Sequence, residues 1–305
     1  MKFLVFGVGG VGAYLATKLS SGGNDVTCIA RGPHLAAIRA HGLHLETPDG
    51  TVTAHVECTD TPPANLDPDC VIIAVKSFDT EGAARQCLRA IGAPTSVITI
   101  QNGVENEDIL GRILGKERII GGSAYIFSTI DRPGVVRHHG GQARFRIGEM
   151  ERGISDRVRS IAAAMERSGI TCEPAGDIQR IIWEKFIFIC GVGGMTAFSQ
   201  KSVGEVRTDP SRRAMLRSVI HEAAEVGRKL NIDPFTGIEQ KLDGVVETMP
   251  GENTSSMHYD LTHGKRIELD ALNGAVVRFA QKLGVSVPSN AEIVSELENY
   301  ARSPQ

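Results

Sequence analysis

The hexapeptide Gly7-Val8-Gly9-Gly10-Val11-Gly12 limits this chain more than any other feature. It matches G-x-G-x-x-G, and it stands between an apolar run, Phe3 to Phe6, and a helical pattern from Val11 to Leu19. A strand that turns at once into a helix needs backbone that side chains would obstruct. In that setting Gly7 permits the tight turn and Gly9 lets backbone approach a pyrophosphate. Gly12 lets the helix lie close on the strand. The helix N-terminus then presents unpaired N–H groups and a partial positive charge to phosphate. Val8, Gly10 and Val11 complete this cofactor-binding turn.

The next strand selects among dinucleotides. Dinucleotide folds that take NAD place Asp or Glu at its end, about twenty residues on, to bind the ribose hydroxyls. Here Asp25 to Ala30 reads as the strand, and Arg31 follows it. A guanidinium matches a 2′-phosphate in fork geometry, where a carboxylate would repel it. Arg31 therefore points to NADP(H), the plainer alternative being a surface arginine that opens the next helix.

Short continuous apolar runs at Cys70 to Val75 and Ser96 to Ile100 suit strands covered on both faces. Helical stretches follow both, and the βαβ alternation predicts a parallel sheet. Lys76 and Asn102 stand just past those runs, at the edge where such sheets bind ligands. Leu43 to Leu45 and Thr51 to Val56 flank Pro48-Asp49-Gly50 as a hairpin. Arg118 to Phe127, Val135 to Arg137 and Ala143 to Ile147 read as further strands, the last two joined through His138-His139-Gly140-Gly141. From Asp177 to Arg302 the pattern is helical throughout. The expected fold is α/β: an N-terminal Rossmann-type, mostly parallel sheet over residues 1–173, and an all-helical domain over 174–305.

Composition excludes several classes. Lys and Arg number 33 against 36 Asp and Glu, a net of -3, so the basic face of a nucleic-acid binder is absent. The six cysteines form no C-x-x-C pair, and buried free thiols in a reducing compartment are expected. Lys2 and the uncharged residues after it resemble a secretory signal, but glycines interrupt the run. Phe186 to Gln200, the other long uncharged run, falls short of the ~20 residues of a membrane span. No membrane association is expected, and the cytoplasm is the expected location.

In the second half, Ile178, Ile181, Ile182, Phe186 and Ile189 form an apolar stripe that includes Lys185. Burial lowers a lysine's pKa, and such an ammonium can donate a proton near neutral pH. The alternative is a lysine snorkelling from the stripe's edge. Glu268 precedes Ala271, Leu272, Ala275, Val276 and Phe279 at helical spacing, and an inward charge there suits a partner or a cavity. Ser255 and Ser256 suit helix caps. The nine histidines form neither H-x-x-x-H nor H-E-x-x-H, so no metal is expected.

Together these blocks resemble the ketopantoate reductase (2-dehydropantoate 2-reductase) family across essentially the whole chain. The carriers are the glycine turn, Arg31, Val75-Lys76, Gln101-Asn102-Gly103, Trp183-Glu184-Lys185, Ser255-Ser256-Met257, and Glu268-Leu269-Asp270 ahead of Asn273-Gly274. The resemblance implies NADPH-dependent reduction of a 2-oxo acid, with ketopantoate as the substrate in pantothenate biosynthesis. It implies that Arg31 and Lys76 contact cofactor phosphates and that Asn102 lies near nicotinamide and substrate. Lys185 would be the general acid, Ser256 a substrate ligand, and Glu268 a partner holding that site. The family's pantothenate enzymes typically carry asparagines four and eight residues after the catalytic lysine; here those positions are Ile189 and Gly193. Related 2-oxo acid or opine-type reductases, or an NADP-binding sensor without turnover, share the fold and remain alternatives. The expected partner is a small-molecule 2-oxo acid, and the sequence allows a homodimer.

Overall fold

A computed structural model describes residues 1–232 and 236–302. The chain divides into two compact units: Met1–Gln101 with Asn106–Ile178, and Asn102–Glu105 with the residues from Gln179 onward. The first unit runs β1 (Lys2–Phe6), α1 (Gly10–Ser21), β2 (Asp25–Ile29), α2 (Gly32–His41), β3 (Leu43–Thr47), β4 (Gly50–Ala54), β5 (Glu57–Thr59), β6 (Cys70–Ile73) and α3 (Thr80–Cys87). It continues with β7 (Ser96–Thr99), α4 (Asn106–Leu114), β8 (Ile119–Tyr125), β9 (Ser128–Arg132), β10 (Val135–His138), β11 (Arg144–Glu149), α5 (Asp156–Arg167) and β12 (Thr171–Pro174).

Eight strands form one sheet in the order β12-β11-β8-β7-β6-β1-β2-β5. Only the β11–β8 pair is antiparallel. β1, β6 and β7 are buried almost end to end, because helices cover both faces and the residues are apolar without alternation. The chain leaves β1 for β2 on one side and returns to β6 on the other. That reversal opens a crevice at the carboxyl ends of the strands, and the glycine turn sits there.

A second sheet, β4-β3-β10-β9, supports α1. Its β3–β4 hairpin turns at Pro48-Asp49, with Thr47 opposite Gly50. The glycine-bearing link from His138 to Gly141 does not close a hairpin. β10 pairs with β3 and β9, whereas β11 pairs with β8 and β12. β9 and β5 carry too few apolar residues to announce themselves in the sequence.

The second unit holds α6 (Ile178–Ser199, which begins one residue before the boundary), α7 (Val203–Thr208), α8 (Pro210–Lys229), α9 (Ile238–Thr248), α10 (Ser256–Thr262), α11 (Asn273–Leu283) and α12 (Pro288–Ala301). Among the described residues no strand follows β12. α6 has 22 residues, longer than its uncharged run indicated, and by length and composition alone could cross a membrane. Most of it is buried, and Trp183, Phe186, Ile187, Cys190 and Met195 place it in the centre of this unit's core. A helix apolar on nearly every side is what a core helix requires.

Candidate active site

The glycine turn is built as its sequence demands. Gly7 has φ +94°, and a Cβ there would lie 2.6 Å from Val75 Cγ1. A Cβ on Gly12 would fall 2.0 Å from the Gly7 carbonyl oxygen, so α1 rests directly on the turn. Gly9 differs, since a Cβ there would meet nothing within 4 Å. Its open face lies at the start of α1, where no side chain caps the helix and no acidic residue occupies the first turn. Open backbone with uncapped N–H groups fits a pyrophosphate.

His34, which sequence reasoning missed, holds this turn from behind. Its Nδ1 accepts from Gly134 N–H at 3.0 Å, so Nε2 carries the proton and donates to the Val8 carbonyl at 2.9 Å. Burial pushes its pKa down and favours that neutral form. Two partners on distant segments, Val8 and Gly134, leave no local pattern by which to find it.

Registers Phe6↔Ile29 and Phe6↔Ile73 bring the ends of β2 and β6 beside the turn. Arg31 lies exposed at the start of α2, with Ile29-Ala30 ahead of it and no acid at the strand's end. Lys76 follows β6, half-buried. Gln101, buried beside it, donates to the Val75 carbonyl at 3.0 Å and to Thr80 Oγ1 at 2.7 Å, and so fixes the link before Lys76. Asn102 belongs to the segment Asn102–Glu105, which groups with the helical unit. Arg278 binds Glu105, and Val104 packs on that unit's core.

In the helical unit, Lys185 rises from α6 and is half-buried, with protein crowding it on most sides. Burial brings its pKa down from 10.5 to about 8, and the charge of Glu268 opposes that fall. The two inward charges are thus brought together. Glu268 is itself buried, though it lies in the turn ahead of α11 rather than on the helix its spacing suggested. Ser255, not Ser256, caps α10, accepting from His258 N–H at 3.0 Å and from Thr196 Oγ1 at 2.8 Å. Ser256 is exposed as the first residue of that helix. Further along α6, a Cβ on Gly193 would lie 3.3 Å from Ile189 Cγ2 and near Ser255 and Met257. Among the described residues no three His, Cys, Asp or Glu gather to hold a metal ion.

A nucleotide-type crevice in one unit and an inward-facing lysine–glutamate pair in the other are the parts of a nucleotide-dependent oxidoreductase. The family model described as ketopantoate reductase PanE/ApbA matches residues 3–152, and its C-terminal counterpart matches residues 177–301. This chain belongs to the ketopantoate reductase family, and is an oxidoreductase acting on CH–OH groups with a pyridine nucleotide. The 2-dehydropantoate 2-reductase of Mesorhizobium japonicum is 30% identical over 322 residues, covering 99% of this chain and 98% of its own. A crystal structure of a PanE/ApbA family ketopantoate reductase from Ralstonia eutropha JMP134 is 31% identical, with a TM-score of 0.90 over 99% of this chain and 98% of that one. D-mandelate dehydrogenase, solved with NADH and anilino(oxo)acetate, has a TM-score of 0.91 over 99% of this chain and 98% of that one. Its identity is 21%, and that likeness is one of fold.

Proposed function

We propose that this protein reduces a 2-oxo acid to the 2-hydroxy acid with NADPH, the substrate being ketopantoate or a close analogue. The observation that carries the reading is Lys185, an amine poised at about 8 by burial and by Glu268. A bound nicotinamide nucleotide supplies the hydride. As negative charge builds on the substrate's carbonyl oxygen, the Lys185 ammonium stabilises it and gives up a proton there. Glu268 keeps that ammonium charged until the transfer. Asn102 and Ser256 orient the substrate. The open backbone of Gly9 and the N–H groups of α1 hold the pyrophosphate, while Arg31 and Lys76 bind the remaining phosphate charge.

One observation favours a related substrate. Ile189 and Gly193, one and two turns beyond Lys185, offer no side-chain hydrogen bond, and Met257 lies beside them. A site that lacks such groups discriminates poorly for a substrate hydroxyl and accepts apolar bulk. NADPH oxidation followed with ketopantoate and with branched and aromatic 2-oxo acids tests both readings. Turnover with ketopantoate foremost supports the first, and preference for a bulkier apolar acid supports the second. No oxidation with any of them refutes both.

A further inference from the structure

A buried polar network crosses the helical core without touching any group assigned a chemical role. The Glu222 carboxylate on α8 accepts from Ser289 N–H and Asn290 N–H, both at 2.9 Å, and so caps the start of α12. It also accepts from Asn290 Nδ2 at 2.8 Å. Asn290 Oδ1 in turn accepts from Asn273 Nδ2 at 2.9 Å. The other proton of that amide goes to the carbonyl of Cys190 on α6, at 3.1 Å. Both asparagines are fully buried, and turning the Asn273 amide over would set oxygen against two oxygens. Its Oδ1 is left buried and unpartnered, a cost the core accepts to keep Nδ2 where it is.

The position of that last bond matters. Cys190 lies five residues after Lys185, and Asn273 lies five residues after Glu268. The path from Glu268 to Asn273 is short and tied, with Leu272 N–H and Gly274 N–H both donating to the Leu269 carbonyl. α6 is unbroken helix over the same interval. The Asn273 side chain therefore ties the segment bearing Glu268 to the helix bearing Lys185, alongside the apolar packing of Leu269 and Leu272 in the same core. Gly194 makes the approach feasible, since a Cβ there would stand 2.9 Å from Asn273 Nδ2 and 3.0 Å from Oδ1.

We propose that Asn273, held by Asn290 and Glu222, is a positioning residue that sets the spacing of Lys185 and Glu268 through its bond to the Cys190 carbonyl. This rests on the functional reading above only for its consequence in turnover. The spacing itself is measurable in the ligand-free protein.

The test is the titration of Lys185 in the full chain without cofactor, read from the pH dependence of its acetylation by peptide mass spectrometry. Asn273→Ala, and independently Gly194→Ala, which disturbs the same contact from α6, should let Glu268 drift and so make Lys185 titrate lower than in the parent. Turnover should fall by about tenfold to a hundredfold, the usual consequence of a small misplacement, with the KM for nucleotide unchanged. Leu242→Ala, a deletion elsewhere in this core, lowers Tm and should leave Lys185 titrating as in the parent. If both contact variants titrate like the parent, or shift only as Leu242→Ala does, the network is merely structural and the proposal is overturned. If Lys185→Ala turns over normally while the contact variants still shift the titration, the positioning stands and the functional reading fails.

Discussion

Two alanine substitutions three residues apart in the glycine turn should have opposite consequences. At Gly12 the new methyl group would meet the Gly7 carbonyl oxygen at 2.0 Å and Ala74 Cβ at 3.1 Å. Neither neighbour can swing aside, because one is backbone and the other lies just past β6. Overpacking of that kind costs about 1–3 kcal/mol, and α1 must lift from the sheet to relieve it. At Gly9 the methyl enters open space, and the backbone there has φ -68°, which alanine adopts freely. Losing glycine at a helix N-cap costs at most about 1 kcal/mol, offset by the smaller freedom of the unfolded chain. Gly9→Ala should melt close to the parent, yet its methyl occupies the space a pyrophosphate needs. Thermal melts with and without NADPH separate the two effects, since ligand raises stability by RT ln(1 + [L]/Kd). Gly12→Ala should melt lower without ligand. Gly9→Ala should lose most of the NADPH-induced rise, about 1.4 kcal/mol for each tenfold loss of affinity. A full NADPH response in Gly9→Ala would refute the placement of phosphate on this turn.

Three further outcomes follow from the structure. Arg31→Ala should weaken NADPH more than NADH, as measured by the ratio of their kcat/KM values; an unchanged ratio would remove Arg31 from 2′-phosphate recognition. Glu268→Gln removes the charge that supports Lys185, so Lys185 should titrate below about 8 and the alkaline fall in kcat/KM should begin at lower pH. Glu107 is buried at the start of α4, and burial lifts its pKa from 4.5 to about 7. A raised folded pKa means its stability contribution is present below about 4.5 and lost as pH rises through about 7. That span amounts to about 3 kcal/mol. Glu107→Gln should therefore raise Tm at pH 8 and leave it nearly unchanged at pH 4.5; equal effects at both would contradict the assignment.

Features with local causes could be read from the sequence. The glycine turn, the unbroken apolar strands and the Pro48-Asp49 hairpin each follow from a few neighbouring residues. Lys185 stood out because a charge on an apolar stripe breaks the local pattern. Elsewhere the cause is tertiary. β9 and β5 exist because neighbouring strands supply hydrogen-bond partners, not because their own residues favour it. The spacing of Glu268 to Leu272 and Ala275 is helical, yet Leu272 N–H and Gly274 N–H both turn back to Leu269 and end that periodicity. The Glu222, Asn290 and Asn273 network joins three helices to α6, and no short window of sequence contains two of its members.

In the mechanism proposed above the Lys185 ammonium provides the proton and the positive charge for reduction. The pH dependence of kcat/KM for NADPH-linked 2-oxo acid reduction, compared between the parent and Lys185→Ala, tests this most directly. The parent should lose activity through a single alkaline step near pH 8, as Lys185 gives up its proton in the free protein. Lys185→Ala should turn over about 10² to 10⁴ times more slowly and lack that step. A variant that keeps the parent's rate and the same alkaline step would contradict the claim.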